Sequence, residues 1–276
     1  MPEQQIHTHV FPNGLTLLVE PMADVQSASF SLLVPCGSNY DPVHQEGSAS
    51  ILCDWILRGA GDNDSVELTN ALDNLGLQRN EGVGNSHLSL AGATLAGNLP
   101  DALRLYADIV LRPHLPDDEF DASRLGVEQG LRALEDEPRQ KVMVELRKRC
   151  FPAPWGIPTE GTLEGIAQLN PEIVRQQFER CNRPGATILG IAGNVNVSEI
   201  QELVGELFGG WSDQPATSWH DGPRGPHRDH IQQEATQTQI GIAYPSVTYN
   251  DPDYYAAWGV VNVLSGGMSS RLFTEV

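Results

Sequence analysis

The chain has 276 residues, 40% of them hydrophobic, which is enough for a substantial core and more than one typical domain. Its 36 acidic and 17 basic residues give a formal net charge of -19. Nucleic acid and anionic membranes reward clustered Lys and Arg, so this balance argues against both partners. No run approaches the ~18 apolar residues of a membrane span. An acidic surface favours solubility and also attracts basic peptides.

Met1-Pro2-Glu3-Gln4-Gln5 offers no basic or apolar start, so no secretory signal is expected and a cytoplasmic location follows. Cys36, Cys53, Cys150 and Cys181 are scattered, with no Cys-x-x-Cys pair. A zinc knuckle or redox motif is therefore unsupported. Reduced, mostly buried thiols are the expectation, with a disulfide left open.

Ile6 to Phe11 and Leu15 to Glu20 read as strands around the turn Pro12-Asn13-Gly14. Ala28 to Val34 is apolar enough for a central strand. A helix is predicted from about Gln45 to Leu57, burying Ile51, Leu52, Trp55 and Ile56. A second runs from Ser65, a candidate N-cap, to Asn74. Residues 78–96 read as two strands or one long bent one. Leu99 to Leu111 is amphipathic, with Leu103, Tyr106, Ala107, Val110 and Leu111 on one face.

Helix then extends from Pro116 past Gly130 to Glu135, breaks at Pro138 and resumes to about Arg149. Phe151 to Gly161 is loop. Short helices follow near 162–168 and 171–180, then a strand over 186–193. A helix over 195–208 is capped by Asn194 or Asn196. Ile231 to Tyr244 reads as strand, Tyr254 to Leu264 as helix, and Gly266 to Ser270 as a loop closing it.

The order of elements predicts an α+β fold with a mixed or antiparallel sheet and helices packed on it. The division is an N-terminal domain over 1–212, a Pro-rich linker over 213–230, and over 231–276 the beginning of a second, homologous domain. The last part is too short for a full copy. The chain is then a fragment, or this segment packs as an appendage.

Gly47 to Gly59, with Ser50, Cys53 and Asp54 at helical offsets, resembles the active-site helix of the pitrilysin/insulinase family of zinc peptidases. Other pieces follow in family order. His9 to Pro21 resembles the opening hairpin, and Leu99 to Phe120 the helix pair after the central strands. Phe151 to Phe178 resembles the stretch beyond the distal Glu, and Ile188 to Trp211 the end of the first half. Asp251 to Val276 resembles the start of the second half. Their order and spacing cover essentially the whole chain. The resemblance implies two similar α+β halves around a chamber, with a substrate-contacting Arg/Tyr pair that would lie beyond Val276.

In that family the helix carries His-x-x-Glu-His, whose His residues bind zinc and whose Glu is the general base. The matching positions are Ser50, Cys53 and Asp54. The third ligand, a Glu on a later helix, falls at Gly130 when the chain is aligned on Leu134 to Pro138. Ser50 is a negligible zinc ligand and Cys53 a poor base for water. Cys53 and Asp54 point about 100° apart on a helix, so one metal does not easily take both. The expectation is no metal and no intact catalytic residue. Zinc enters only under the alternative reading.

His7 with His9, and His227 with His230, could bind metal adventitiously, but surface roles explain them better. His87 matches a family His and is read as structural. Arg79 to Asn85 resembles the edge strand on which active members lay substrate, making Asn80, Glu81, Gly82 and Val83 candidate substrate contacts. Equally, its two glycines could make it a bend or bulge.

Two functional readings follow. One is a non-catalytic homologue acting as a partner or scaffold subunit, or as a peptide-binding protein. Its partners would be another family subunit, a second copy, or extended peptides. Tyr254, Tyr255, Trp258 and Val261 would be the anchors. The alternative is an active zinc metalloendopeptidase using different ligands.

Overall fold

The computed structural model describes residues 5–213, 215, 222, 225–226, 228–233 and 237–275. Its residues fall into two units, 1–239 and 240–276.

The first unit is a mixed α+β structure. β1 (His7–Val10) and β2 (Thr16–Pro21) form an antiparallel hairpin. The Pro12-Asn13-Gly14 turn closes it, with Gly14 at a positive φ and the Asn13 amide donating to the Phe208 carbonyl at 2.8 Å. β3 (Ser27–Val34) leads through a tight turn at Ser38–Tyr40 into α1 (Ser48–Trp55) and α2 (Ser65–Asn74). β4 (Gln78–Val83) and β5 (Leu88–Leu95) form a second hairpin. α3 (Leu99–Leu111), α4 (Asp117–Glu135), α5 (Pro138–Cys150), α6 (Leu163–Ile166) and α7 (Pro171–Cys181) follow. β6 (Ile188–Gly193) and α8 (Val197–Phe208) complete the unit.

The six strands stand in the order β1-β2-β6-β3-β5-β4. Only β2 and β6 run parallel; the other neighbours are antiparallel. Alternation puts Leu17 and Val19, Phe30 and Leu32, Leu88 and Leu90, and Leu189 and Ile191 into the core. α3 and α8 pack over this sheet. Phe30 meets Tyr106 of α3 edge to face at 4.8 Å. α1 packs against β4, α4 and α7.

Several local expectations need correction. α1 begins at Ser48 rather than Gln45, because Gly47 at φ 110° cannot belong to a right-handed helix. α2 is capped by Asp64 rather than Ser65: the Asp64 carboxylate takes the Val66 and Glu67 amides while Glu67 returns to the Asp64 amide. Asn196, not Asn194, caps α8. Residues 78–96 are two strands, and β4 pairs with β5 in unbroken register despite Gly82, so there is no bulge.

The second unit holds α9 (Tyr254–Ser265) and α10 (Arg271–Glu275), with Gly266 closing α9. α9 buries none of its residues; Tyr255 and Trp258 are 74% and 60% exposed. The strand expected over 231–244 does not form among its described residues. None of the strand pairings includes these residues, and an unpaired segment gains nothing from the extended ladder. Much of the expected linker, including His227, lies outside the described residues. Among the described residues, no helix is long and apolar enough to cross a membrane.

Candidate functional site

α1 is fixed at both ends. The buried Asp41 carboxylate accepts from the Gly47 and Ala49 amides at 2.7 and 2.8 Å, and from the Gln177 side chain at 2.9 Å. It thereby supplies partners for N–H groups at the helix start. Burial pushes the Asp41 carboxyl up to about 6, against the opposing pull of these three hydrogen bonds. Gly161 packs on Gly47 so closely that a Cβ on it would stand 2.3 Å from the Gly47 Cα. At the far end, Trp55 is fully buried, and its indole donates to the Pro116 carbonyl at 2.9 Å. Its ring lies edge-on to Phe120 at 4.9 Å and under the Arg175 guanidinium at 5.0 Å.

The other face of α1 carries the family positions, and each is occupied in a different way. The Ser50 hydroxyl donates to the Thr159 carbonyl at 2.6 Å. The half-buried Cys53 thiol is pushed up to about 12 by burial, with the Glu81 and Asp54 carboxylates adding to the shift. It is therefore a neutral thiol at physiological pH and no base for water. Asp54 takes the Arg58 guanidinium through two nitrogens at 2.8 and 2.9 Å. Arg58 reaches on to Glu119 at 3.1 Å, which also accepts from Ser65. Gly130 is exposed on α4, with open space where a side chain would stand.

Sequence reasoning placed Ser50, Cys53 and Asp54 on one helix, and they are there. It did not identify Arg58 or Glu119, and it named Glu81 only as a candidate substrate contact on the edge strand. Glu81 lies on β4, accepts from the Tyr106 hydroxyl at 3.0 Å, and acts electrostatically on Cys53. Burial, and then the Glu81 carboxylate, raise the Tyr106 phenol above its ordinary range. Only the sign of an i,i+4 pair, Asp54 to Arg58, was available in sequence to flag this network.

Zinc does not fit these residues. A site needs about three convergent donors and an open position. Here one candidate is a hydroxyl bonded to a carbonyl, one is a lone half-buried thiol, one is a carboxylate paired with Arg58, and one has no side chain. Among the described residues, no three His, Cys, Asp or Glu side chains are grouped to hold a metal ion.

The candidate peptide strand is one of the two edge strands of the sheet, since β4 pairs with β5 alone among the described strands. Asn80 is exposed, while Glu81, Gly82 and Val83 are half-buried. A Cβ on Gly82 would meet nothing within 4 Å. Beyond Val83 the backbone is taken: Gly84 and Asn85 carbonyls accept from Ser38 and Asn39 amides at 3.0 and 2.8 Å. An edge strand of this kind can pair with an extended peptide through its backbone.

Three of the histidines named above have local partners. His9 contacts Gln201 at 3.2 Å, His230 contacts Gln232 at 3.2 Å, and His87 contacts the Ala186 carbonyl at 3.3 Å.

The family model described as Insulinase (Peptidase family M16) matches residues 17–162, more than half of the chain and both helices that bear the four positions. The model described as Peptidase M16 inactive domain matches residues 168–276, beyond those helices. The chain belongs to the insulinase family, peptidase family M16.

A Mycobacterium leprae protein named as an uncharacterized zinc protease is 26% identical over 96% of this chain and 61% of its own length. A protein named in the same way from Streptomyces coelicolor is 24% identical over 96% of this chain and 60% of its own. The chain thus spans about three fifths of the length of these relatives. Among solved structures, a Helicobacter pylori protease superposes with a TM-score of 0.82 at 17% identity, covering 99% of this chain and 68% of that one. A Pseudomonas fluorescens peptidase M16 inactive domain gives 0.81 at 19% identity, covering 99% and 67%. At such identities the likeness is one of fold.

Proposed function

We propose that this chain is a non-catalytic member of the family, acting as a partner or scaffold subunit and holding extended peptides along β4. The observation that carries this reading is the occupancy of the site face of α1. Ser50 and Asp54 are engaged by Thr159 and Arg58, Cys53 is held protonated, and Gly130 offers no donor. Without a metal-bound water or a general base, amide hydrolysis loses both of the contributions the family depends on.

Residues 1–212 would then be the peptidase-like domain, 213–230 a linker, and 231–276 the opening of a second homologous domain. The partner would be another family subunit or a second copy. The exposed Tyr255, Trp258 and Val261 of α9, with Tyr254 beside them, support the idea of an apolar anchor.

The alternative, an active zinc metalloendopeptidase, is favoured by the names of the relatives, which are called zinc proteases. A broad peptide panel, with and without added zinc, separates the two readings. No cleavage is expected, together with dimers or larger species in light scattering at micromolar concentration. Chelator-sensitive cleavage that survives repurification would favour the alternative. A clean monomer with no affinity for an intact family member would remove the partner reading.

A further inference from the structure

Composition marks residues 213–230 as a Pro-rich linker, and such a segment has no need to adhere to the rest of the chain. Several of its described residues are nonetheless seated on α5. The Gly222 amide donates to the Ala153 carbonyl, just past the helix, at 2.8 Å. Gly225 lies so close that a Cβ on it would stand 2.8 Å from the Arg149 Cα. The Arg149 Nε donates to the Asp229 carboxylate at 2.8 Å, and its Nη2 donates to the same oxygen. The Gln233 side chain donates to the Glu135 carbonyl, just ahead of α5, at 3.0 Å. Residue numbers rise along this chain as they fall along its partners, so it runs back along α5 in the opposite direction.

α5 is suited to such a contact. It buries none of its own residues. It carries Arg139, Lys141, Arg147, Lys148 and Arg149 against Glu145 alone, in a chain whose formal net charge is -19. The Arg149 Nη1 donates to the Glu145 carbonyl at 2.7 Å and to its carboxylate at 2.6 Å, which leaves Nε and Nη2 for Asp229. The other Asp229 oxygen accepts from the His230 amide at 2.8 Å. Arg149 holds the Asp229 carboxyl below its ordinary range.

We propose that the chain around Gly225, Asp229 and Gln233 is a releasable strap, which docks on α5 through Arg149 and comes away, without unfolding the first unit, when that ion pair is broken. The side chains of the pair are 22% and 38% exposed. Ion pairs of this kind contribute little alone and are weakened by salt, and a hydrogen bond that water can replace is lost at small cost. Arg149, Ala153 and Glu135 all lie outside the buried core, so releasing the strap uncovers none of it. Docking also sets the length of chain ahead of the second unit, which begins at Ile240. With the strap seated, the last hold described on the first unit is at Gln233. With it released, that hold falls back to Asp213, whose carboxylate accepts from the Gly185 amide at 3.2 Å. Release therefore lengthens the tether of the second unit.

The test is limited trypsin digestion of the full chain, with the initial rate of cleavage after Arg228 followed by mass spectrometry. A synthetic peptide of residues 225–236, cut in the same buffers, gives the rate for that bond when nothing holds it. Cleavage tracks the open fraction, so in about 0.05 M salt the bond in the chain should be cut about tenfold more slowly than in the peptide. Raising the salt to about 0.5 M should close most of that gap. Arg149→Glu should speed cleavage several-fold. Arg149→Lys should do so by less, because lysine keeps the charge without the two-nitrogen contact. Gly225→Val pushes the strap off α5 while every charge stays in place, and should match Arg149→Glu once each is divided by the rate of the matching peptide. The melting temperature should move by no more than about 2 °C in all three variants. Should one variant fail to fold, the others and the salt series on the unaltered chain still decide. The proposal would be overturned by cleavage in the unaltered chain as fast as in the peptide, or by cleavage indifferent to salt, Arg149→Glu and Gly225→Val. Acceleration that comes only with loss of the folded first unit would overturn it too.

Discussion

The two faces of α1 have different characters. On one, Ile51, Leu52 and Trp55 are completely buried, and Trp55 joins the helix to α4 and α7 through a hydrogen bond and two ring contacts. On the other, the positions that resemble the family's zinc motif hold a serine bonded to a loop carbonyl, a neutral thiol and an ion-paired aspartate. The packing face is held by buried contacts, and the other face carries no cluster of three metal-ligating side chains among the described residues. The fold therefore depends on one set of residues and the chemistry on another, and one set can be replaced without the other.

The comparison can be broken or sharpened by substitutions on each side. The largest effect is expected from the packing face. Trp55→Ala removes a buried indole, its hydrogen bond to Pro116 and its contacts with Phe120 and Arg175, and should cost ~3–5 kcal/mol. Denaturant midpoints measure this; a loss under about 1 kcal/mol would show that the face is not the anchor described.

A smaller effect, dependent on pH, is expected from Asp41, whose carboxyl stands at about 6 in the fold against about 3.9 unfolded. Because the folded pKa is the higher one, the folded chain holds this proton longer. Its contribution makes the unfolding free energy fall as pH rises from about 4 to about 6, by about 2–3 kcal/mol in all. Below that window the cost is absent, and above it the cost is fully present. Asp41→Asn should flatten this part of the stability profile; an unchanged slope would place the titration elsewhere.

The smallest effect belongs to the chemical face. Asp54 is half exposed in its pair with Arg58, so Asp54→Ala should change stability by about 0.5 kcal/mol or less. A cost of several kcal/mol would mean that the replaced face has acquired a structural role.

Much of this was legible in the sequence where the controlling signal is local. The amphipathic run of α3, the turn at Asn13-Gly14 and the break at Pro138 mark their own elements. What was not legible depends on residues far apart. Asp41 caps α1 with help from Gln177, and Trp55 is seated by Pro116, Phe120 and Arg175. No window of sequence contains these partners. The misread start of α2 is different: the Asp64–Glu67 box was local and competed with Ser65 one position away. The segment over 231–244 alternates like a strand, but a strand exists only where another pairs with it.

The most direct test of the central claim is the zinc content of the purified chain after mild dialysis, by elemental analysis. It should be run beside the variant carrying Ser50→His, Cys53→Glu, Asp54→His and Gly130→Glu. Positions 50 and 54 are one helical turn apart, and the site of the Gly130 side chain is open. The account predicts no stoichiometric zinc in the natural chain and stoichiometric zinc in the restored one. Tightly held zinc in the natural chain, lost on Asp54→Ala, would contradict it.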